Sequence, residues 1–314
     1  MKKQFIQDII SGLRSKRKRI PSKYLYDEKG SLIFQSIMEQ PEYYLTPAEW
    51  NIFENKANEI VDHFIQGASS ELQIMELGAG DGRKTELLLD AMDRRKFPCV
   101  YEPVDIDPTI LNQLTTRLEG KYDYIRINPR PGYNDDALQH ISRDHSSVLL
   151  FLGSNIGNYT KREEEELIQR IGKAMKTEDK ALIGADKAKD PNLISAAYDD
   201  KNKKTASFNL NLIHRINDAF GIDLNPADFC FYSYYHPRKR EVHVFLTNRT
   251  EQSIPLPNSS EVITLPPWTY IQTEISRKYS IADLEKLGSS AGLSLKYHWQ
   301  DENEYFYEFL FAKK

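Results

Sequence analysis

The stretch Glu76-Leu77-Gly78-Ala79-Gly80-Asp81-Gly82 decides how this chain is read. It follows a short apolar run, Leu72–Leu77, and precedes an amphipathic segment, Arg83–Met92, so it marks the turn from a strand into a helix. Glycines there let the backbone approach a ligand closely, and a helix N-terminus offers N–H donors. A dinucleotide fingerprint requires G-x-G-x-x-G, and here the third glycine comes one residue early. A phosphate loop requires G-x-x-x-x-G-K-[ST]. Gly78–Thr85 nearly fits, but Arg83 stands where the second glycine must be. An ordinary strand-to-helix turn is the plain alternative.

Working outward, strands alternate with helices on the C-terminal side of this loop. Phe97–Asp105 reads as a second strand and Pro108–Leu118 as a second helix. Ser147–Leu152 is a near-continuous apolar run, as a central parallel strand covered on both faces should be. Thr160-Lys161-Arg162-Glu163 is a capping box opening a helix to about Met175, and Ala181–Ala185 is a further strand. The alternation then stops. Pro191–Asp199 and Ala206–Phe220 read as helices, and Phe229–Tyr235, Glu241–Thr247 and Trp268–Glu274 as strands of an α+β piece. From Ser280 a capped helix leads to two strands, Leu293–Gln300 and Tyr305–Ala312, joined by a short turn and hence antiparallel. A doubly wound parallel sheet finished by an antiparallel hairpin is the layout of class I methyltransferases, an α/β (Rossmann-like) class. E/D-x-G-x-G is their S-adenosylmethionine signature, facing an uncharged ribose and a methionine tail.

N-terminal to the loop, residues 1–66 read as amphipathic helices. Thr46-Pro47-Ala48-Glu49 looks like a capping box opening a helix from about 47 to 65, and Gly67-Ala68-Ser69-Ser70 like a linker. The expected organisation is an N-terminal helical segment (1–66) packing with a substrate-binding lobe (193–276), and a cofactor-binding core of 67–192 and 277–314. Chemistry is expected in the cleft between lobe and core.

Composition narrows the class. The chain has 314 residues, 42 Lys+Arg against 46 Asp+Glu, a net charge of −4, and 40% hydrophobic residues. That is a globular balance without the basic excess of a nucleic-acid binder. Only Cys99 and Cys230 are present, and the seven histidines show no HExxH spacing, so no metal is expected. The longest apolar run falls far short of the ~20 residues of a membrane span. A reducing cytoplasm is the expected home, with a small-molecule substrate, no nucleic acid or membrane as partner, and a monomer as a plausible state. The basic run Arg14, Lys16, Arg17, Lys18, Arg19 could suggest nucleic acid or membrane, and otherwise is a solvated helix end. Trp50 and Trp268 read as packing residues.

The second strand ends in Val104-Asp105-Ile106-Asp107. An acid at that carboxyl end can accept both ribose hydroxyls, and Asp105 is the better candidate because Asp107-Pro108 looks like a helix cap.

Taken together, these motifs resemble the histidine-specific N-methyltransferases of ergothioneine biosynthesis, which make the trimethylated betaine hercynine. Fungal N-methyltransferases acting on prenylated tryptophan are similar. The resemblance spans nearly the whole chain. It rests on Tyr24-Leu25-Tyr26-Asp27 with Gly30-Ser31, Pro41-Glu42-Tyr43-Tyr44-Leu45-Thr46, Glu76–Gly82, Gly153-Ser154-Asn155-Ile156-Gly157-Asn158, Tyr198, Phe208-Asn209 and Thr273-Glu274-Ile275-Ser276. It implies that Gly78 and Asp105, with Gly80 and Arg83 beside them, contact the cofactor. It implies that Tyr26, Asn158 and Tyr198 hold the amino acid's ammonium and carboxylate, that Tyr43 sits near the methylated nitrogen, and that Glu274 and Ser276 hold the imidazole. Tyr26 and Tyr43 are the catalytic candidates. Two departures stand out. Asn128–Tyr133 lacks the acidic adenine reader of some members, and Val244 stands where some members have a bulkier residue, leaving room for a larger substrate side chain. The implied activity is S-adenosylmethionine-dependent methylation of the α-amino nitrogen of L-histidine. The alternatives are another aromatic amino acid as acceptor, or a nicotinamide-dependent oxidoreductase.

Overall fold

The apolar run before the glycines is a strand buried along its whole length, Leu72–Leu77, as its lack of polar alternation requires. The computed structural model describes residues 2–68 and 70–314; Ser69 of the expected linker lies outside the described residues. In chain order the helices are α1 (Lys2–Arg14), α2 (Glu28–Met38), α3 (Leu45–Ile65), α4 (Arg83–Arg94), α5 (Pro108–Leu118), α6 (Asn134–Ala137), α7 (Lys161–Ala174), α8 (Pro191–Tyr198), α9 (Lys204–Phe220) and α10 (Ile281–Ser290). The strands are β1 (Leu72–Leu77), β2 (Cys99–Asp105), β3 (Ile125–Ile127), β4 (Arg130–Pro131), β5 (Ser146–Phe151), β6 (Lys180–Asp186), β7 (Phe229–His236), β8 (Glu241–Asn248), β9 (Gln252–Pro255), β10 (Val262–Leu265), β11 (Tyr270–Arg277), β12 (Leu293–Gln300) and β13 (Phe306–Lys313).

The chain divides into two compact units. Tyr44–Ala188 and Lys278–Lys314 form the α/β unit. Its sheet runs β12-β13-β6-β5-β1-β2-β3, with β4 beside β2. The pairs β1–β2, β1–β5, β5–β6 and β2–β3 are parallel, whereas β13 is antiparallel to both β6 and β12. The chain moves outward from β1 through β2 to β3, then returns to the other side of β1 as β5. The order therefore reverses between β1 and β5, which is where open α/β sheets hold ligands. One face is packed by α3 and α4, through Phe53, Ile60, Phe64, Leu88 and Met92. The other is packed by α7 and α10, through Leu167, Ile171, Leu284 and Leu287.

The sequence placed 1–66 together, but the units divide after Tyr43, and α3 belongs to the α/β unit. Its buried residues Ala48, Ile52, Phe53, Ile60, Val61 and Phe64 join the cluster that contains Leu72 and Ile74 of β1. The expected capping box at Thr46–Glu49 does not form. The helix starts earlier, at Leu45, with Tyr44 as N-cap and no side-chain cap. Glu49 is spent elsewhere, as shown below. The boxes at Thr160 and Ser280 do form, with Glu163 and Asp283.

The second unit comprises the segment up to Tyr43 and Lys189–Arg277. An antiparallel sheet β11-β8-β7 and the ribbon β9–β10 are assembled with α1 and α9 around Ile9, Leu13, Phe208, Leu212, Ile216, Leu246, Ile263 and Ile271. Residues following α1 run along β11: Ile20 N–H donates to Gln272 O at 2.8 Å and Gln272 N–H to Lys18 O at 2.9 Å. The basic run is thus partly structural. Arg14 pairs with Glu261, and Lys18 Nζ donates to Leu13 O at 2.7 Å near the helix C-terminus, where cations are favoured. Trp268, read as packing, is 61% exposed and has φ +62°. Among the described residues no helix is long and apolar enough to cross a membrane.

Candidate active site

The glycine loop sits at the β1/β5 reversal. Gly78, Gly80 and Gly82 all have positive φ, at +70°, +56° and +66°, a region that penalises side chains. They differ in surroundings. A Cβ on Gly82 would lie 2.4 Å from Leu114 Cδ1, so a side chain there must displace Leu114. A Cβ on Gly80 would meet nothing within 4 Å, so the loop's middle is open to a ligand. The loop is tied to β2: Gly78 and Ala79 N–H both donate to Val104 O at 2.9 Å, and Gly80 N–H donates to Asp105 Oδ2 at 2.9 Å. Asp105 Oδ1 accepts from Asp107 N–H at 3.0 Å, and burial raises the carboxyl above its ordinary range. Asp107 caps α5 through Thr109 N–H at 2.9 Å.

The loop after β5 approaches from the other side. Gly153 has φ +71° and Ser154 φ +58°, and Asn155 Nδ2 would lie 3.5 Å from a Cβ on Gly78. Asn158 ends a short 3₁₀ turn, Asn155–Asn158, beyond β5. The helix cap nearby is Thr160, so Asn158 is not the cap. Past β2, Val104, Arg130, Pro131, Tyr133, Asp136 and His140 line a pocket of about 240 Å³.

The other unit gathers a second group. Tyr26 packs edge-on against Phe34 and Phe208, with centroids 5.3 and 5.1 Å apart, and Tyr43 packs on the same Phe34 at 6.1 Å. Helix α9 positions these neighbours. Asn211 Nδ2 donates to Asp27 Oδ1 at 2.8 Å, and Asp27 in turn caps α2 through Gly30 N–H at 2.7 Å. Beside Phe208, Asn209 Oδ1 accepts from Thr273 Oγ1 at 2.6 Å, pinning β11 at an irregularity in its register between Gln272 and Glu274. Glu274 and Ser276 pair with Val244 and Val242 and so share their face of the sheet. Tyr198 Oη donates to Ser276 Oγ at 2.6 Å on that face. On the same strand Arg277 pairs with Glu241 at 2.9 Å, and Lys278 beyond it pairs with Asp186 at 2.7 Å.

A family model of the histidine-specific, S-adenosylmethionine-dependent methyltransferases matches residues 5–313. This chain belongs to that family. It is 29% identical over 296 residues to a histidine N-alpha-methyltransferase of Mycobacterium tuberculosis, covering 94% of this chain and 91% of that protein. It is 28% identical to the Mycolicibacterium smegmatis protein of the same name, over 94% of this chain and 90% of that one. It is 29% identical to ergothioneine biosynthesis protein 1 of Neurospora crassa, over 92% of this chain but 32% of that longer protein. The family's cofactor dependence fits the open Gly80 and the acid Asp105 at the end of β2.

Arg83, a candidate cofactor contact from the sequence, stands apart. Its side chain is 70% exposed, with Nε 3.6 Å from Asp81. The cation beside the loop is its neighbour Lys84, whose Nζ would lie 3.6 Å from a Cβ on Gly153. Lys84 pairs with Glu49 of α3 and keeps 22% of its side chain exposed. Its position at the G-K-[ST] place of the failed phosphate loop was the one sequence signal that pointed to it.

Glu76 of the motif turns inward rather than toward a ligand. It accepts from Thr85 Oγ1 at 2.8 Å and from Tyr101 Oη. Burial pushes its carboxyl up from 4.5 to about 7, against the pull of Tyr101, Thr85 and Lys84. The native state therefore holds a proton that the unfolded chain releases above its lower pKa. Stability contributed here falls as pH rises from 4.5 through about 7. Glu76→Gln should remove this loss, favouring the variant over wild type by up to about 3 kcal/mol at pH 8. Denaturant melts of both proteins at pH 5 and pH 8 measure the change; an equal difference at the two pH values contradicts it.

Proposed function

We propose that this protein transfers methyl groups from S-adenosylmethionine to the α-amino nitrogen of L-histidine, up to the trimethylated betaine. The observation that carries the reading is the polar face of β11, where Glu274 and Ser276 point to one side and Ser276 already accepts the Tyr198 hydroxyl. An imidazole has two distinct nitrogens, one donor and one acceptor when neutral, and a carboxylate with a hydroxyl matches that pattern. Tyr26, Asn158 and Tyr198 are assigned to the ammonium and carboxylate, and Tyr43 to the reacting nitrogen.

The cofactor residues are Gly78 and Gly80 at the methionine tail, Asp105 at the ribose and Lys84, rather than Arg83, at the methionine carboxylate. The pocket beside Tyr133 and Asp136 has room for the adenine. When bound, S-adenosylmethionine supplies a methyl group on a sulfonium. The protein's work is alignment of the acceptor nitrogen and removal of a proton from it. An α-ammonium is largely protonated near neutral pH, so a hydrogen-bond acceptor must draw that proton off before the lone pair can attack. We assign that role to the Tyr26 and Tyr43 hydroxyls, directly or through water.

A methyl-transfer assay across the twenty amino acids, read by mass, tests the reading. Histidine gaining up to three methyl groups is expected; no product from any amino acid overturns it. The buried Val244 opposite Glu274 favours one second reading, a bulkier aromatic acceptor, and the same assay extended to tryptophan derivatives separates the two.

A further inference from the structure

The glycine loop rests on a buried group of charges that neither the loop motif nor the substrate residues account for. Glu49 of α3 and Glu308 of β13 are both sequestered from solvent. Their carboxylates meet over Gly184 of β6: a Cβ there would lie 2.6 Å from Glu49 Oε1 and 2.9 Å from Glu308 Oε1. Glu49 accepts from two donors. Its Oε1 accepts from Gly153 N–H at 2.6 Å, and its Oε2 takes the Lys84 ammonium. Neither Glu308 oxygen has a donor among the described residues, and Glu49 is the side chain that bears on it most.

Two carboxylates in contact in a buried site cannot both be charged. The charge belongs on Glu49, which has a cation and an amide donor, and the proton belongs on Glu308. We propose that Glu308 is a positioning residue that donates its retained proton to Glu49, leaving Glu49 with a single charge to hold Lys84 and the Gly153 amide beside the cofactor loop. The groups facing Glu308 are Glu49 from α3, Lys84 from α4 and Glu76 from β1; two of these three are acids, so ionising Glu308 adds a charge that Lys84 alone must balance. Burial and Glu49 together raise Glu308 well above an ordinary carboxyl, which favours its neutral form. In alkali it ionises, the pair becomes a dianion, and Lys84 is drawn away from the cofactor's carboxylate. The inference rests on the cofactor assignment above.

The experiment compares S-adenosylhomocysteine affinity of wild type and Glu308→Gln by calorimetry from pH 7 to pH 10. Glutamine keeps the N–H donation to Glu49 and cannot ionise. The variant should bind within a few-fold of wild type at pH 7 and exceed it by roughly 10- to 100-fold at the alkaline end, the effect of one unit charge a few ångström away. Titration of the ligand's own amine is common to both proteins and cancels in the ratio. A ratio that stays constant with pH overturns the proposal. Infrared difference spectra of the Glu76→Gln protein, which lacks the carboxyl that titrates near 7, should also show loss of a protonated-carboxyl band on raising the pH from 7. Absence of that band overturns the proposal even if Glu308→Gln fails to fold. Wild type that binds no S-adenosylhomocysteine at any pH would instead sink the cofactor assignment and the alkaline limb with it, while the band still decides where the proton sits.

Discussion

Gly80→Val is expected to weaken S-adenosylhomocysteine binding by more than about 100-fold, or roughly 3 kcal/mol. Two effects combine. At φ +56° the backbone sits where a branched side chain is strained, so the loop must shift to accept it. That shift moves the N–H that Asp105 holds at 2.9 Å, and Asp105 is the proposed ribose acceptor. The new side chain also enters the open space over the loop, where nothing of the protein lies within 4 Å of a Cβ. Strain alone can be separated from obstruction by a control. Gly120 has φ +70° and equally open surroundings, but it follows α5 and is not part of the loop. Gly120→Val should lose comparable thermal stability and keep full affinity. If calorimetry shows Gly80→Val binding as well as Gly120→Val, the loop is not the cofactor site.

What the sequence made legible follows from how local each signal was. The strand Leu72–Leu77, the helix Pro108–Leu118 and the strand Leu293–Gln300 have the bounds that their apolar runs and punctuation suggest, because caps and turns act over three or four residues. Asp105 was legible for the same reason: the end of β2 is marked by the Asp107-Pro108 cap that follows it. Glu49 was misread because a capping box is a pattern of residue types, and the same glutamate serves a tertiary purpose here. Its partners, Lys84, Gly153 and Glu308, lie between 35 and 259 positions away, and nothing local announces them. The ribbon β9–β10 and the short β3 were missed because four or three residues hold too little period to show. Trp268 was misread since size suggested burial, yet its positive φ places it at a turn before β11, leaving the ring in solvent.

Glu274→Ala is expected to lower histidine use by roughly 10- to 100-fold, because a hydrogen bond to a charged group contributes roughly 1.5–3 kcal/mol and each ~1.4 kcal/mol is tenfold. The irregularity in β11 matters to this. Thr273 is held by Asn209, and the register shift beside it sets Glu274 opposite Val244, on the face where Tyr198 meets Ser276. A substrate ring gripped there leaves an unpaired nitrogen when the carboxylate is removed, and a desolvated polar group without a partner is costly. S-adenosylhomocysteine affinity should change little, since Glu274 lies on β11 and the proposed cofactor residues on the glycine loop, α4 and β2. Selectivity is the sharper readout. Alanine beside the small Val244 leaves an apolar space, so tryptophan and phenylalanine should lose far less than histidine, and their kcat/KM relative to histidine should rise. Glu274→Gln separates charge from hydrogen bonding: it keeps an acceptor and should retain more histidine activity than alanine while favouring the neutral ring. An unchanged preference among histidine, tryptophan and phenylalanine in Glu274→Ala would remove Glu274 from the substrate site and leave Ser276 and Tyr198 without the acid that selects an imidazole.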